Sequence, residues 1–158
     1  MLIKKGNLLI LNQNLNISYP VYFSKNILDP KNKIGNYLNE ICNNRKILIV
    51  VDKNVNKIYG KKIKRFFEEK STDCLIYEFE ALERYKNFET IETLCSLAKQ
   101  FGMRRDSAFI AIGGGITLDI TGFAAFLYRK KIPYIRIPTT LVGIVDAGVG
   151  IKVGINFD

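Results

Sequence analysis

The sequence predicts an α/β protein built on a mostly parallel sheet with helices on both faces. Short apolar runs rich in β-branched residues alternate with stretches of helical periodicity. Two of those runs, 46–51 and 108–112, are apolar almost without interruption, as strands covered on both faces are. Asp52, Glu83, Gly113-Gly114-Gly115 and Thr139-Thr140 all follow such runs. They would lie at the carboxyl ends of the strands, where open α/β sheets bind ligands.

The elements follow in order. Residues 8–11 and 19–23 read as strands separated by an Asn-rich turn. Ile34, Leu38, Ile41 and Cys42 recur at helical spacing, and 46–51 is a central strand closed by Asp52. Ile58, Ile63, Phe66 and Phe67 sketch an amphipathic helix with a broad polar face, and 74–79 the next strand. Ile91, Leu94, Cys95 and Ala98 mark a second helical stripe, with Gly102 as its stop. The strand 108–112 runs into three glycines, a small-residue helix over 116–127 and a short strand over 134–137. No repeat or low-complexity linker divides the chain, so one domain over residues 1–158 is expected.

Composition narrows the function classes. A chain of 158 residues, 47% of them hydrophobic, can bury a sizeable core without disulfides. The longest apolar stretch, 108–116, is too short to span a bilayer, and the N-terminus shows no signal-peptide pattern. A cytoplasmic location without membrane partners is expected. Cys42, Cys74 and Cys95 form no C-x-x-C pair and read as reduced, buried thiols. The net charge of +9 is scattered over Lys61-Lys62, Lys64-Arg65, Arg104-Arg105 and Arg129-Lys130-Lys131, without aromatic interleaving or zinc-finger spacing. That pattern describes solvated faces, not a nucleic-acid site.

Each motif carries a chemical and a structural reading. The turn G-G-G-I-T-L-D could bring backbone and a helix N-terminus against a pyrophosphate, or could simply be a tight turn. It departs from G-x-G-x-x-G, with Leu118 at the last glycine position. Asp119 is a hydrogen-bond acceptor facing a nicotinamide or a carboxylate favouring the helix dipole. Asp52 could accept from ribose hydroxyls or cap a helix. Glu83 and Lys86 could reach a ribose or form a solvated loop. Thr139 and Thr140 could bind phosphate or ribose, or cap the following segment. Asp146, Lys152 and Asn156 stand in a glycine-rich segment able to bend around a polar substrate, though a capping aspartate and an exposed lysine fit the same spacing.

The run I-G-G-G-I-T-L-D-I-T-G-F-A-A-F-L-Y-R-K-K-I-P-Y-I-R-I-P-T-T-L-V-G-I-V-D-A-G-V-G-I-K-V-G-I-N, with V-V-D-K-N-V and E-R-Y-K upstream, resembles the sugar-phosphate cyclases. That family includes 3-dehydroquinate synthase and 2-epi-5-epi-valiolone synthase, and the resemblance spans residues 46–156. It implies a Rossmann-like dinucleotide-binding domain in which Asp52, Glu83, Lys86, Gly114, Gly115, Ile116, Asp119, Thr139, Thr140 and Lys152 contact NAD. It implies that Arg129, Asp146, Lys152 and Asn156 serve a sugar phosphate, with Arg129 reaching a neighbouring subunit of a homodimer. In the family, NAD transiently oxidises a ring hydroxyl, phosphate is eliminated, the hydride returns and the opened sugar closes by an aldol step.

The wording P-Y-I-R-I-P-T-T-L and D-A-G-V-G-I-K-V-G-I-N is nearer the valiolone-type enzymes, implying sedoheptulose 7-phosphate as substrate, with 3-dehydroquinate synthase as the alternative. The family's divalent metal, zinc or cobalt, is held by a glutamate and two histidines of a helical second domain. This chain contains no histidine, so no metal ligand is assigned and the chain alone is expected not to turn over. A catalytically dead NAD-binding remnant is the non-enzymatic reading. Metal-dependent alcohol dehydrogenases of glycerol-dehydrogenase type share G-G-G-x-x-x-D but lack the P-T-T-L…D-x-x-x-x-x-K block.

Overall fold

The computed structural model describes residues 2–5, 8–11, 18–69, 73–129 and 132–157. Two short strands, β1 (Leu2–Lys5) and β2 (Leu8–Leu11), form an antiparallel pair of their own. The α/β body follows: α1 (Lys33–Cys42), β3 (Ile47–Asp52), α2 (Lys53–Glu68), β4 (Cys74–Phe79), α3 (Phe88–Gln100), β5 (Ala108–Gly113), α4 (Gly115–Tyr128) and β6 (Tyr134–Pro138). A 3-10 turn, Glu83–Tyr85, follows β4, and a single π turn, Gly143–Ala147, follows β6.

The four strands of the body run parallel in the order β4-β3-β5-β6. The chain steps from β3 outward to β4, then returns to the other side of β3 to lay down β5. The crevice between the carboxyl ends of β3 and β5 is therefore the switch point of the sheet, flanked by Asp52 and Gly113.

Alternation along the buried strands sorts their side chains onto two cores. Leu48, Val50 and Phe109 pack with Ile91, Leu94, Ala98, Ile120 and Ala124 of α3 and α4. Ile47, Ile49, Val51, Ala108, Ile110 and Ile112 pack with Leu38, Ile63, Phe66 and Phe67 of α1 and α2. Every residue of β5 is buried, as its unbroken apolar run requires. Helix α3 ends as its sequence indicates, with Gly102 in the left-handed region at φ 73°.

Residues 19–23, expected as a strand, form none. Pro20 removes a ladder donor, and the flanking tyrosines turn to side-chain partners instead: Tyr22 packs edge-on to Tyr37, and the Tyr19 hydroxyl donates to the Val149 carbonyl at 2.5 Å. The Asn-rich turn before them, at 12–17, lies outside the described residues, as do Lys130 and Lys131 of the basic run. Of the three thiols expected to be buried, Cys42 is, whereas Cys74 and Cys95 are half-buried. Among the described residues no helix is long and apolar enough to cross a membrane.

Candidate functional site

The glycine turn at the end of β5 forms the floor of the crevice. Gly114 is the N-cap of α4 and supplies no side-chain cap, so the first-turn amides of a 14-residue helix are left for an outside acceptor. The backbone here is closely packed. A Cβ on Gly113 would lie 2.6 Å from the Thr117 hydroxyl oxygen, and one on Gly114 3.1 Å from the Thr140 methyl. Only glycine leaves this surface low enough for a ligand to approach the main chain. The Thr139 amide donates to the Gly113 carbonyl at 2.9 Å, tying the end of β6 to the turn. The Thr140 hydroxyl accepts from the Gly143 amide at 3.1 Å, its capping reading, and is exposed beside Gly114.

On the opposite lip, Asp52 caps α2: its Oδ1 accepts from the amides of Asn54 and Val55 at 2.9 and 3.1 Å. The structural reading of Asp52 is thus realised, and it leaves the second carboxylate oxygen available at the crevice. Glu83 and Lys86 lie on and just after the 3-10 turn, Glu83 exposed and Lys86 partly buried. Lys86 reaches across to α4, its Nζ 2.6 Å from Oδ2 of Asp119, both side chains about four-fifths buried. Asp119 therefore pairs with a cation in addition to lying near the helix start. Asn156 closes the same side, its amide donating to the Lys86 carbonyl at 2.7 Å and its Nδ2 to Oε1 of Glu83 at 2.8 Å.

Asp52, Glu83, Lys86, Gly114, Gly115, Ile116, Asp119, Thr139, Thr140 and Asn156 thus all belong to the carboxyl-end side of the sheet. Asp146 lies in the π turn and Lys152 in the segment after it, both exposed. Arg129 is different. It is the C-cap of α4, some 20 Å along the helix axis from the glycine turn.

Sequence reasoning missed two contributors. Arg136, the lone charge in Y-I-R-I-P, donates from Nη1 to the carbonyls of Ala147 (3.0 Å) and Gly150. Tyr134 donates to the Leu118 carbonyl at 2.6 Å, and burial holds its hydroxyl well above the ordinary tyrosine range. A charged residue inside an otherwise apolar strand was the available signal for Arg136.

The glycine turn, the uncapped α4 N-terminus and the Asp52 carboxylate across the switch point fit a dinucleotide. A catalytic metal fits less well. The chain has no histidine, and among the described residues no three cysteine, aspartate or glutamate side chains gather where they could hold an ion.

Over 111 residues, 70% of this chain and 27% of the relative, the sequence is 47% identical to a 2-epi-5-epi-valiolone synthase of Streptomyces albus. It is 40% identical to a 3-dehydroquinate synthase of Prochlorococcus marinus over 143 residues, 89% of this chain and 39% of the relative. The 2-epi-5-epi-valiolone synthase of Streptomyces hygroscopicus subsp. jinggangensis, solved with NAD+ and Zn2+ bound, superposes with a TM-score of 0.82 at 33% identity, over 93% of this chain and 39% of that one. The chain spans less than two-fifths of the length of each of these proteins. Residues 76–158 match the family described as 3-dehydroquinate synthase N-terminal, and it is to this family that the chain belongs.

Proposed function

We propose that this chain is the NAD-binding part of a sugar-phosphate cyclase, and that the sugar is sedoheptulose 7-phosphate. The observation that carries the reading is the grouping, around one switch point, of an uncapped helix N-terminus, a carboxylate and an ion pair contributed by three separate segments. The α4 amides would take the pyrophosphate, where the helix dipole favours negative charge. The free oxygen of Asp52 would accept from a ribose hydroxyl, a role a 2′-phosphate would oppose by like-charge repulsion. Lys86, held by Asp119, keeps its ammonium at the crevice, and Thr140 offers a hydroxyl beside Gly114. Bound NAD would supply reversible hydride acceptance.

Asp146, Lys152 and Asn156 would face the sugar phosphate, with Lys152 also near the cofactor. Arg129, remote from this crevice, is assigned to the site of a second subunit in a homodimer. The valiolone-type substrate is favoured by the D-A-G-V-G-I-K wording and by the 47% identical relative. Dehydroquinate chemistry is the second reading, favoured by the Prochlorococcus relative, which matches over more of the chain.

Calorimetric titration of the purified chain with NAD+ and NADP+ tests the nucleotide assignment. Saturable NAD+ binding, weaker NADP+ binding and loss of both in Gly114→Val are expected. Absence of NAD+ binding, or binding indifferent to Gly114→Val, would refute it. With zinc added, the 158-residue protein should release no phosphate from sedoheptulose 7-phosphate, because it has no histidine and no metal-binding cluster among its described residues. Joined to the remaining length of the Streptomyces albus relative, it should release phosphate from that sugar in preference to the heptulosonate. The opposite preference would favour the second reading.

A further inference from the structure

We propose that Arg136 is a positioning residue that, together with Tyr19, fixes the loop carrying Asp146 and Lys152. The roles of those two residues rest on the function proposed above; the clamp itself rests on geometry.

Strand β6 pairs Tyr134 with Phe109 and Arg136 with Ala111, so Tyr134 and Arg136 share the sheet face covered by α3 and α4. A half-buried guanidinium there is costly unless its donors are used. Arg136 has no carboxylate partner among the described residues. Its Nη1 donates instead to two main-chain carbonyls, Ala147 and Gly150, which bracket the turn after the π helix. The guanidinium carbon lies 5.5 Å from the ring centres of both Tyr19 and Tyr134. Tyr19 then adds a third bond, its hydroxyl donating to the carbonyl of Val149.

The same turn is held from inside. The amides of Gly148, Val149 and Gly150 donate to the carbonyls of Gly143 and Asp146 at 2.6, 3.0 and 2.7 Å. A segment with glycines at 148, 150 and 154 has little stiffness of its own. Two side chains from outside the loop therefore set its shape; Asp146 adjoins the clamped residues, and Lys152 follows them with one residue between.

Amide hydrogen exchange on the 158-residue chain tests the clamp without any ligand. In Arg136→Gln, the amides of Gly148, Val149 and Gly150 should exchange about tenfold faster or more, as loss of a charge-assisted hydrogen bond implies, while those of β3 and β5 keep their protection. Tyr19→Phe, which alters only a hydroxyl on an exposed segment, should accelerate the same three amides by a smaller factor. This second variant decides the matter should Arg136→Gln not fold. Unchanged exchange at the three amides, or acceleration spread equally over β3 and β5, would overturn the proposal.

A binding measurement separates positioning from general stabilisation. Arg136→Gln should weaken NAD+ binding in the wild-type background but cost nothing further in Lys152→Ala, because it acts through Lys152. Additive losses would contradict that route. If the wild-type chain binds no NAD+, the function proposed above fails, and the exchange pattern alone decides the clamp.

Discussion

Lys86 and Asp119 form the most buried ion pair among the described residues, with Nζ and Oδ2 2.6 Å apart and each side chain about one-fifth exposed. The pair joins the 3-10 turn after β4 to the first turns of α4, tying together two segments that are far apart in sequence. Removing one partner strands the other charge in a half-dry setting, which costs more than the pair contributes. Lys86→Met and Asp119→Asn should each destabilise the fold, and a double-mutant cycle by urea denaturation should give a coupling of roughly 1–2 kcal/mol. A coupling near zero would mean that solvent already screens the pair.

The glycine turn should answer to substitution differently at neighbouring positions. At Gly113 a new Cβ would meet the Thr117 side chain at 2.6 to 3.0 Å, with Thr117 fully buried and unable to yield. Gly113→Ala should therefore lower stability by about 1–3 kcal/mol, the usual cost of overpacking. At Gly114 the nearest contact is the Thr140 methyl at 3.1 Å, on an exposed side chain that can shift by a few tenths of an ångström. Gly114→Ala should leave the melting temperature nearly unchanged and weaken NAD+ binding about tenfold, read by thermal melts and calorimetry on the same preparations. Equal effects of the two changes on stability would contradict the packing described for this turn.

Cys42 predicts a pH dependence. It is fully buried at the end of α1, and burial pushes its thiol from 9.0 up to about 11. Because the folded protein holds the proton more tightly than the unfolded chain, the stabilisation is complete below pH 9 and is lost as pH rises towards 11. The loss attributable to this thiol is on the order of 3 kcal/mol. Cys42→Ala will be less stable at neutral pH because of the cavity it leaves. Its stability should nonetheless fall less steeply than that of the wild type between pH 9 and 11, in denaturant melts at half-unit intervals. Parallel curves would show that ionisation of Cys42 is not linked to unfolding.

How far the sequence disclosed this structure depends on the range of the interactions concerned. The strands β3 and β5 were legible because a continuous apolar run has few alternatives to a doubly covered strand, and the glycine triplet fixed where β5 must end. Helix α3 was legible from its stripe and its glycine stop. What stayed hidden was pairing across the fold. Nothing in E-R-Y-K indicates that Lys86 will choose Asp119, nor does Y-I-R-I-P reveal that Arg136 will spend its donors on carbonyls beyond the next turn. Residues 19–23 illustrate the converse. Their β-prone side chains suggested a strand, but a strand needs a neighbour, and Tyr19 and Tyr22 found side-chain and loop partners instead. Arg129 is tied to a neighbouring subunit only through the family resemblance, and the length of α4 is what measures its distance from the glycine turn.

Asp52 permits a test that divides capping from recognition, because the cap engages only one of its two carboxylate oxygens. Its Oδ1 is engaged by the amides of Asn54 and Val55, and α2 begins on those bonds. Asparagine can accept the same two hydrogen bonds but carries no charge, whereas alanine can do neither. Asp52→Ala should cost about 1 kcal/mol of stability through loss of the cap, and should lose NAD+ affinity as well. Asp52→Asn should keep stability within about 0.5 kcal/mol of the wild type, asparagine being as good a cap, yet bind NAD+ more weakly and discriminate less against NADP+. Thermal melts and paired titrations on the two variants read both effects. If Asp52→Asn binds NAD+ and NADP+ as the wild type does, the carboxylate is a helix cap alone, and the ribose must be recognised by the opposite wall of the crevice.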